Sequence, residues 1–214
     1  AAFLLLGRSA GGGATHRARR LLLAIGVSDA LPALPGLAER WGRSVFHCPY
    51  CHGYELDRGA IGVIATGPLS LHQALLLAEW GTVTLLANGA LDPDADARAS
   101  LHQRGVAIEA TPVARLDGHA DAVLADGRVL RFAGLFAAPR NAPASDLAQQ
   151  LGCELMDTPM GVQIRTDEAK HTTVPGVYAC GDAARVPHSV SLAVADGAWA
   201  GAQVHQSLVF PAAT

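Results

Sequence analysis

The stretch Phe46-His47-Cys48-Pro49-Tyr50-Cys51-His52-Gly53-Tyr54-Glu55 decides how this chain is read. Two of the four cysteines stand here, two residues apart, with a histidine on each side. That spacing lets both sulfurs share one turn, where they can close a small disulfide or hold one metal together. His47 or His52 can supply the proton acceptor or the positive charge that a thiolate needs. Four readings follow. A redox dithiol leads. Cys48 to His52 also fits C-x-x-C-H, the c-type haem attachment pattern, which requires export, and no signal peptide is expected at Ala1. Structural zinc needs a second ligand pair, whereas Cys153 and Cys180 stand singly. The fourth reading is two buried cysteines beside a turn.

Working outward, the 214 residues suffice for one large or two small domains. Half are hydrophobic and 16% are charged, which supports a sizeable core and excludes a disordered chain. A net charge of −3 argues against nucleic acid as a main partner. The longest apolar runs, such as Leu21 to Val27, are too short to span a bilayer. Four cysteines with one close pair do not make a secreted disulfide scaffold, so a reducing cytoplasm is the expected location.

The first residues predict a strand at Phe3–Leu6, a glycine-rich hairpin turn at Gly7–Gly13, and a buried strand from Arg19 to Ala24 ending at Gly26. The Gly11-Gly12-Gly13 run lacks phosphate-loop spacing. Pro32 and Pro35 make Asp29–Gly36 a linker. Then come a strand at Ala60–Ile64, a turn Ala65-Thr66-Gly67-Pro68-Leu69-Ser70, a helix to about Trp80, and a strand at Thr82–Leu86. This is one βαβ unit of a dinucleotide-binding fold. A polar helix at Asp92–Arg104, a strand at Val106–Ala110 and an antiparallel meander over Val113–Val129 follow, with turns at Asp117-Gly118 and Asp126-Gly127. A strand at Gly134–Ala138 ends at Pro139, and Ser145–Leu151 is a short helix. Val177–Cys180 is a strand running into Gly181-Asp182, and Ser191–Leu208 is an Ala/Gly-rich helix. The glycines at 53, 59 and 62 argue against a long helix after the cysteines.

Two family resemblances arise. Cys48-Pro49-Tyr50-Cys51 with Thr173-Val174-Pro175 resembles a glutaredoxin, but that fold is smaller than the gap between the two motifs. The broader resemblance is to thioredoxin-reductase-like flavoproteins. Leu23-Ala24-Ile25-Gly26 with the Pro-Gly linker resembles that family's crossing from flavin domain to pyridine-nucleotide domain. Cys48 to Gly53 resembles its redox pair, and Thr172 to Ala183 resembles its closing flavin motif. The Cys-His-Gly-Tyr-Glu ending is similar to the subgroup of gliotoxin-type dithiol oxidases and bacterial reductase-like relatives.

The resemblance implies an α/β fold with two Rossmann-like domains. A nucleotide-type domain at 29–138 carries the C-x-x-C and is inserted into a flavin domain made from 1–28 and 139–214. It implies FAD, with Ala24, Gly26, Gly181, Asp182, Ala183, Ser191 and Leu192 as cofactor-binding residues and Gly67 in the second nucleotide loop. It implies that Cys51 faces the flavin, that Cys48 exchanges with substrate, and that His52 is the acid/base. The partners it implies are a thioredoxin-like protein or a small disulfide or dithiol, and a second copy in a homodimer. A strand ending in Gly-Asp also makes chemical sense: the glycine permits close backbone approach, and the carboxylate accepts from a ribityl hydroxyl.

Two departures from the family pattern stand out. Its opening strand and G-x-G-x-x-G loop have no counterpart in these residues, so a fragment or shortened form with weakened FAD binding is expected. The second nucleotide loop has Ala65 at the first glycine position, and Ala87-Asn88-Gly89 offers neither an arginine cluster nor an acidic ribose ligand. NADPH use is therefore doubtful, and oxygen is the alternative electron acceptor. A truncated, non-catalytic redox module is the third reading.

Overall fold

The computed structural model describes the backbone of residues 3–9 and 12–210, and the side chains of Phe3 and of residues 15–210. The chain divides into two compact units, residues 1–30 with 140–214, and residues 31–139.

The first unit opens with β1 (Phe3–Ser9) and β2 (Gly12–Ala18), an antiparallel pair in which Ser9 faces Gly12. The predicted turn is thus much shorter than Gly7–Gly13, and its tip at residues 10 and 11 lies outside the described residues. Next comes β3 (Leu21–Leu23), shorter than the predicted Arg19–Ala24 strand. Arg19 and Arg20 form a bend instead, with the Arg20 Nε–H donating to Ser207 Oγ at 2.8 Å. The first part of the predicted linker is also a strand, β4 (Val27–Ala30).

The second unit contains β5 (Val45–Phe46), α1 (Pro49–His52), β6 (Ala60–Ile64), α2 (Leu69–Leu77), β7 (Thr82–Leu86), α3 (Ala95–Gln103), β8 (Ala107–Glu109), the meander β9 (Val113–Asp117), β10 (Asp121–Leu124) and β11 (Val129–Arg131), and β12 (Gly134–Ala137). Its main sheet is parallel, in the order β5-β12-β6-β7-β8. A parallel sheet is covered on both faces, so its strands read as continuous apolar runs. Side-chain alternation sorts each run into two cores. Ile61, Val63, Val83, Leu85 and Phe136 pack with Leu77 and Leu101 of the helices. Ile64, Leu86, Leu135 and Ala137 pack with Leu116 and Leu124 of the meander. Asp94 caps α3 by accepting the Ala97 N–H at 2.8 Å, which explains why the helix starts after the predicted Asp92.

The chain then returns to the first unit through β13 (Arg140–Pro143), α4 (Leu147–Gln150), β14 (Leu155–Thr158), β15 (Gly161–Ile164), β16 (Val177–Ala179) and α5 (Val190–Val209). The predictions did not contain β13, β14 or β15. They form a sheet in the order β14-β15-β13-β4, whose strands mix polar and apolar residues and none of which is a continuous apolar run. β16 lies parallel to β3, with Ala179 facing Leu23, and their inward side chains join Ala148, Ile164, Ala183 and Ala184 in a third core. Among the described residues no helix is long and apolar enough to cross a membrane.

Candidate functional site

The dithiol site grows out of the buried edge strand β5. Phe46 is buried, and the chain leaves the sheet through His47, whose carbonyl accepts from Gln73 Nε2 at 2.8 Å. Cys48 then stands at the N-cap of α1 in extended conformation, and Pro49 occupies the first helical turn, where its missing N–H costs nothing. Four residues of helix place both sulfurs on the same side of the turn. The structure joins them in a Cys48–Cys51 disulfide with Cα atoms 5.3 Å apart. Cys48 is half-buried and Cys51 exposed.

Three contacts fix this turn. The His52 ring stacks on Phe46 with centroids 4.2 Å apart, and His52 Nδ1 lies 3.6 Å from Glu55 Oε2. Tyr50 meets Trp80 edge-on at 5.5 Å. Gly53 is buried where the helix ends against Trp80, and a Cβ there would lie 2.8 Å from both the Pro49 carbonyl oxygen and Trp80 Cε3. Tyr50 and Tyr54 are 76% and 85% exposed, which leaves an aromatic rim around the disulfide. Among the described residues no group of three His, Cys, Asp or Glu side chains is placed to hold a metal ion.

The second set of expected residues gathers in the other unit. The Cys180 N–H donates to the Leu23 carbonyl at 3.1 Å, so the ends of β3 and β16 are neighbours. Ala24 and Gly26 follow one strand, and Gly181, Asp182 and Ala183 follow the other. Gly26 and Gly181 adopt φ of 65° and 68°, the left-handed region that glycine enters without penalty. Gly181–Ala184 is a 3₁₀ turn, and Ala183 is fully buried. α5 begins after Ser189, with Ser191 exposed and Leu192 half-buried in its first turn, so its unsatisfied N–H groups open beside these residues. Among the described residues Asp182 Oδ1 is buried without a hydrogen-bond partner. Buried carboxylate oxygens nearly always have a donor, so an unpartnered one next to a glycine turn fits a ligand hydroxyl. These residues fit the ribityl side of FAD.

Sequence reasoning missed Asp196. It is the one carboxylate in α5 and is 7% exposed. Its Oδ2 accepts the Gly181 N–H at 3.0 Å, and its Oδ1 lies 2.6 Å from Lys170 Nζ. A lone acid in an Ala-rich helix was the available signal, because a buried carboxylate needs partners. Burial, followed by the nearby Asp196 charge, pushes the Cys180 thiol upward, which disfavours its thiolate.

Gly67 lies in the 31–139 unit, in the turn after β6. That turn is closed on itself. The Thr66 N–H donates to Ser70 Oγ at 3.0 Å, and Thr66 Oγ1 donates to the Ala138 carbonyl at 2.8 Å. Pro68 has no N–H, while the Ser70 and Leu71 N–H groups donate to Gly67 and Pro68 carbonyls. Asn88 Oδ1, after β7, accepts the Val113 N–H. These contacts engage the N–H groups of Thr66, Ser70 and Leu71, so fewer donors are left for the pyrophosphate of a pyridine dinucleotide.

Rossmann-type parallel sheets and a disulfide of C-x-x-C spacing together describe an α/β protein of the nucleotide-binding oxidoreductase type. Residues 1–197 match the family described as pyridine nucleotide-disulphide oxidoreductase. The chain belongs to that family, within its thioredoxin-reductase-like members. It is 32% identical over 92% of its length to Thioredoxin reductase aclD of Aspergillus oryzae, covering 67% of that protein. It is 33% identical over 90% of its length to Thioredoxin reductase sirT of Leptosphaeria maculans, covering 64% of that protein. The chain thus spans about two thirds of the length of these relatives. The crystal structure of an oxidoreductase from Agrobacterium tumefaciens superposes with a TM-score of 0.91 at 52% identity, over 97% of this chain and 70% of that one.

Proposed function

We propose that the chain acts as an FAD-dependent thiol–disulfide oxidoreductase in which electrons pass between the Cys48–Cys51 pair and flavin. The observation that carries the proposal is the joined pair itself, set at the exposed start of a short helix with a histidine stacked beside it. A substrate thiolate attacks one sulfur, forming a mixed disulfide and releasing the other cysteine as thiolate. The second substrate thiol attacks the mixed disulfide, so the substrate leaves as a disulfide and the cysteines keep two electrons. His52 takes and returns the protons of this exchange. FAD, when bound, supplies a two-electron acceptor or donor. The residues proposed to hold it are Ala24, Gly26, Gly181, Asp182, Ala183, Ser191 and Leu192. The proposed partners are a thioredoxin-like protein or a small disulfide or dithiol, with the chain acting as a homodimer in the cytoplasm.

The closed turn at Thr66–Ser70 favours oxygen over NADPH as the second redox partner. The test is anaerobic mixing of the FAD-loaded protein with a dithiol, watching the visible flavin band. We expect bleaching by the dithiol, recovery on admitting oxygen, and no bleaching by NADPH. A band that no dithiol bleaches, in a protein that holds FAD, refutes the proposal.

A further inference from the structure

Asp196 does more than accept the Gly181 N–H. Its Oδ1 also lies 3.5 Å from Arg185 Nη1. Arg185 follows the Gly181–Ala184 turn directly, and its side chain is 25% exposed. One edge of the guanidinium is therefore held by Asp196. Among the described residues, its Nε–H is buried with no acceptor. Asp182 Oδ1, three residues earlier, is buried with no donor, and the two are not bonded to each other. Buried polar atoms are nearly always paired in folded proteins. A donor and an acceptor left open on one short turn fit a ligand that brings both an oxygen and a hydroxyl.

We propose that Arg185, aimed by Asp196, is a second ligand-binding residue of the Gly181–Asp182 turn. Asp182 accepts from a hydroxyl, and Arg185 donates through Nε to an oxygen of the same flavin nucleotide. This rests on reading the unit as a flavin site. Arginine suits the task because its guanidinium stays charged and its Nε–H has a fixed direction, so one edge can pair with Asp196 while Nε serves the ligand. Lysine offers a single mobile ammonium and cannot do both.

The test is FAD titration by flavin fluorescence, from micromolar to millimolar, on the parent, Arg185→Met, Arg185→Lys and Asp182→Ala. Losing one charge-assisted hydrogen bond weakens binding by about tenfold to a hundredfold. We expect that loss for Arg185→Met, incomplete rescue by Arg185→Lys, and a loss for Asp182→Ala. Thermal unfolding with and without FAD separates ligand binding from packing. The unliganded Arg185→Met protein should melt near the parent, while its FAD-induced rise shrinks. A lower unliganded midpoint with an unchanged FAD-induced rise would mean that Arg185 only packs, and would overturn the inference. Parental FAD affinity in Arg185→Met, with affinity lost in Asp182→Ala, would overturn it and leave the flavin reading standing. Parental affinity in all variants would remove the reading of this turn as a flavin site and this inference with it.

Discussion

His52 lies flat on Phe46, the two ring planes inclined by 20° and their centroids 4.2 Å apart. Phe46 belongs to a strand of the parallel sheet and is 9% exposed, so the imidazole is anchored to a rigid element while its other side remains open. General acid–base groups contribute about a hundredfold or more. We expect His52→Ala to lower dithiol turnover by about that factor. Phe46→Leu should lower it less, because the ring loses its platform but keeps its chemistry. Full turnover of His52→Ala between pH 6 and 9, roughly the range where histidine and cysteine titrate, would remove His52 from the mechanism.

Either sulfur of the pair is accessible enough for exchange, since Cys51 is exposed and Cys48 half-buried. Exposure alone therefore does not assign the roles. The expected assignment gives Cys51 the flavin-facing part. Cys48→Ser and Cys51→Ser should both abolish turnover, and only Cys51→Ser should remove the thiolate-to-flavin charge-transfer band. A band that disappears with Cys48→Ser and survives Cys51→Ser reverses the roles.

Gly53 admits no side chain. A Cβ would meet the Pro49 carbonyl oxygen and the Trp80 ring at 2.8 Å, and neither is a flexible chain end. Overpacking of this kind costs about 1–3 kcal/mol. Gly53→Ala should lower the melting temperature by about 2–10 °C, and it should slow thiol–disulfide exchange by moving the end of the helix that carries Cys51. An unchanged melting temperature would show that Trp80 yields freely.

Glu109 and Arg128 give the fold a pH signature. The Arg128 guanidinium, then the Thr111 N–H, hold the Glu109 carboxyl down at about 2. A carboxyl whose folded value lies below its unfolded value of about 4.3 stabilises the fold above that value, and the contribution disappears as pH falls toward 2. Arg128 is half-exposed, so solvent screens the pair. Arg128→Met should lower the melting temperature at pH 7 by about 1–4 °C. The gap between variant and parent should narrow as pH drops from about 4.3 to 2. A gap that stays constant through that window would mean the arginine stabilises by packing alone.

The parallel strands were legible because their buried positions are apolar, Ile61, Val63 and Ile64 in β6 and Val83, Leu85 and Leu86 in β7. The dithiol turn was legible because its chemistry is local, set by a spacing of three residues. β4 and β13 were not legible. Val-Ser-Asp-Ala and Arg-Asn-Ala-Pro become strands only because their backbones pair with each other across more than a hundred residues. The partnership of Asp196 with Gly181, Lys170 and Arg185 was hidden too, although these residues stand much nearer in sequence. No helical or strand period links those positions, and only the tertiary fold brings them onto one carboxylate.

The closed turn after β6 leads to the last prediction. From β6 the sheet runs outward through β7 to β8, while β12 lies on the other side of β6. The ends of β6 and β12 therefore flank the switch point, where open α/β sheets take their ligands. The Thr66 hydroxyl bridges this point to the Ala138 carbonyl at 2.8 Å. A pyrophosphate there needs several free N–H groups at a helix start. The Thr66 N–H serves Ser70 Oγ instead, Pro68 has none, and the Ser70 N–H serves the Gly67 carbonyl. Each charge-assisted hydrogen bond not formed costs a ligand about tenfold to a hundredfold in affinity. Losing two or three places NADPH binding at millimolar or weaker. Ser70→Ala combined with Thr66→Gly should release one N–H and the bridge and recover about tenfold, with Pro68 still limiting. Calorimetric titration of NADPH and NADH into the parent should give no saturable heat. A dissociation constant in the low micromolar range for the parent would show that this turn opens on binding, and would return a pyridine nucleotide to the list of electron donors.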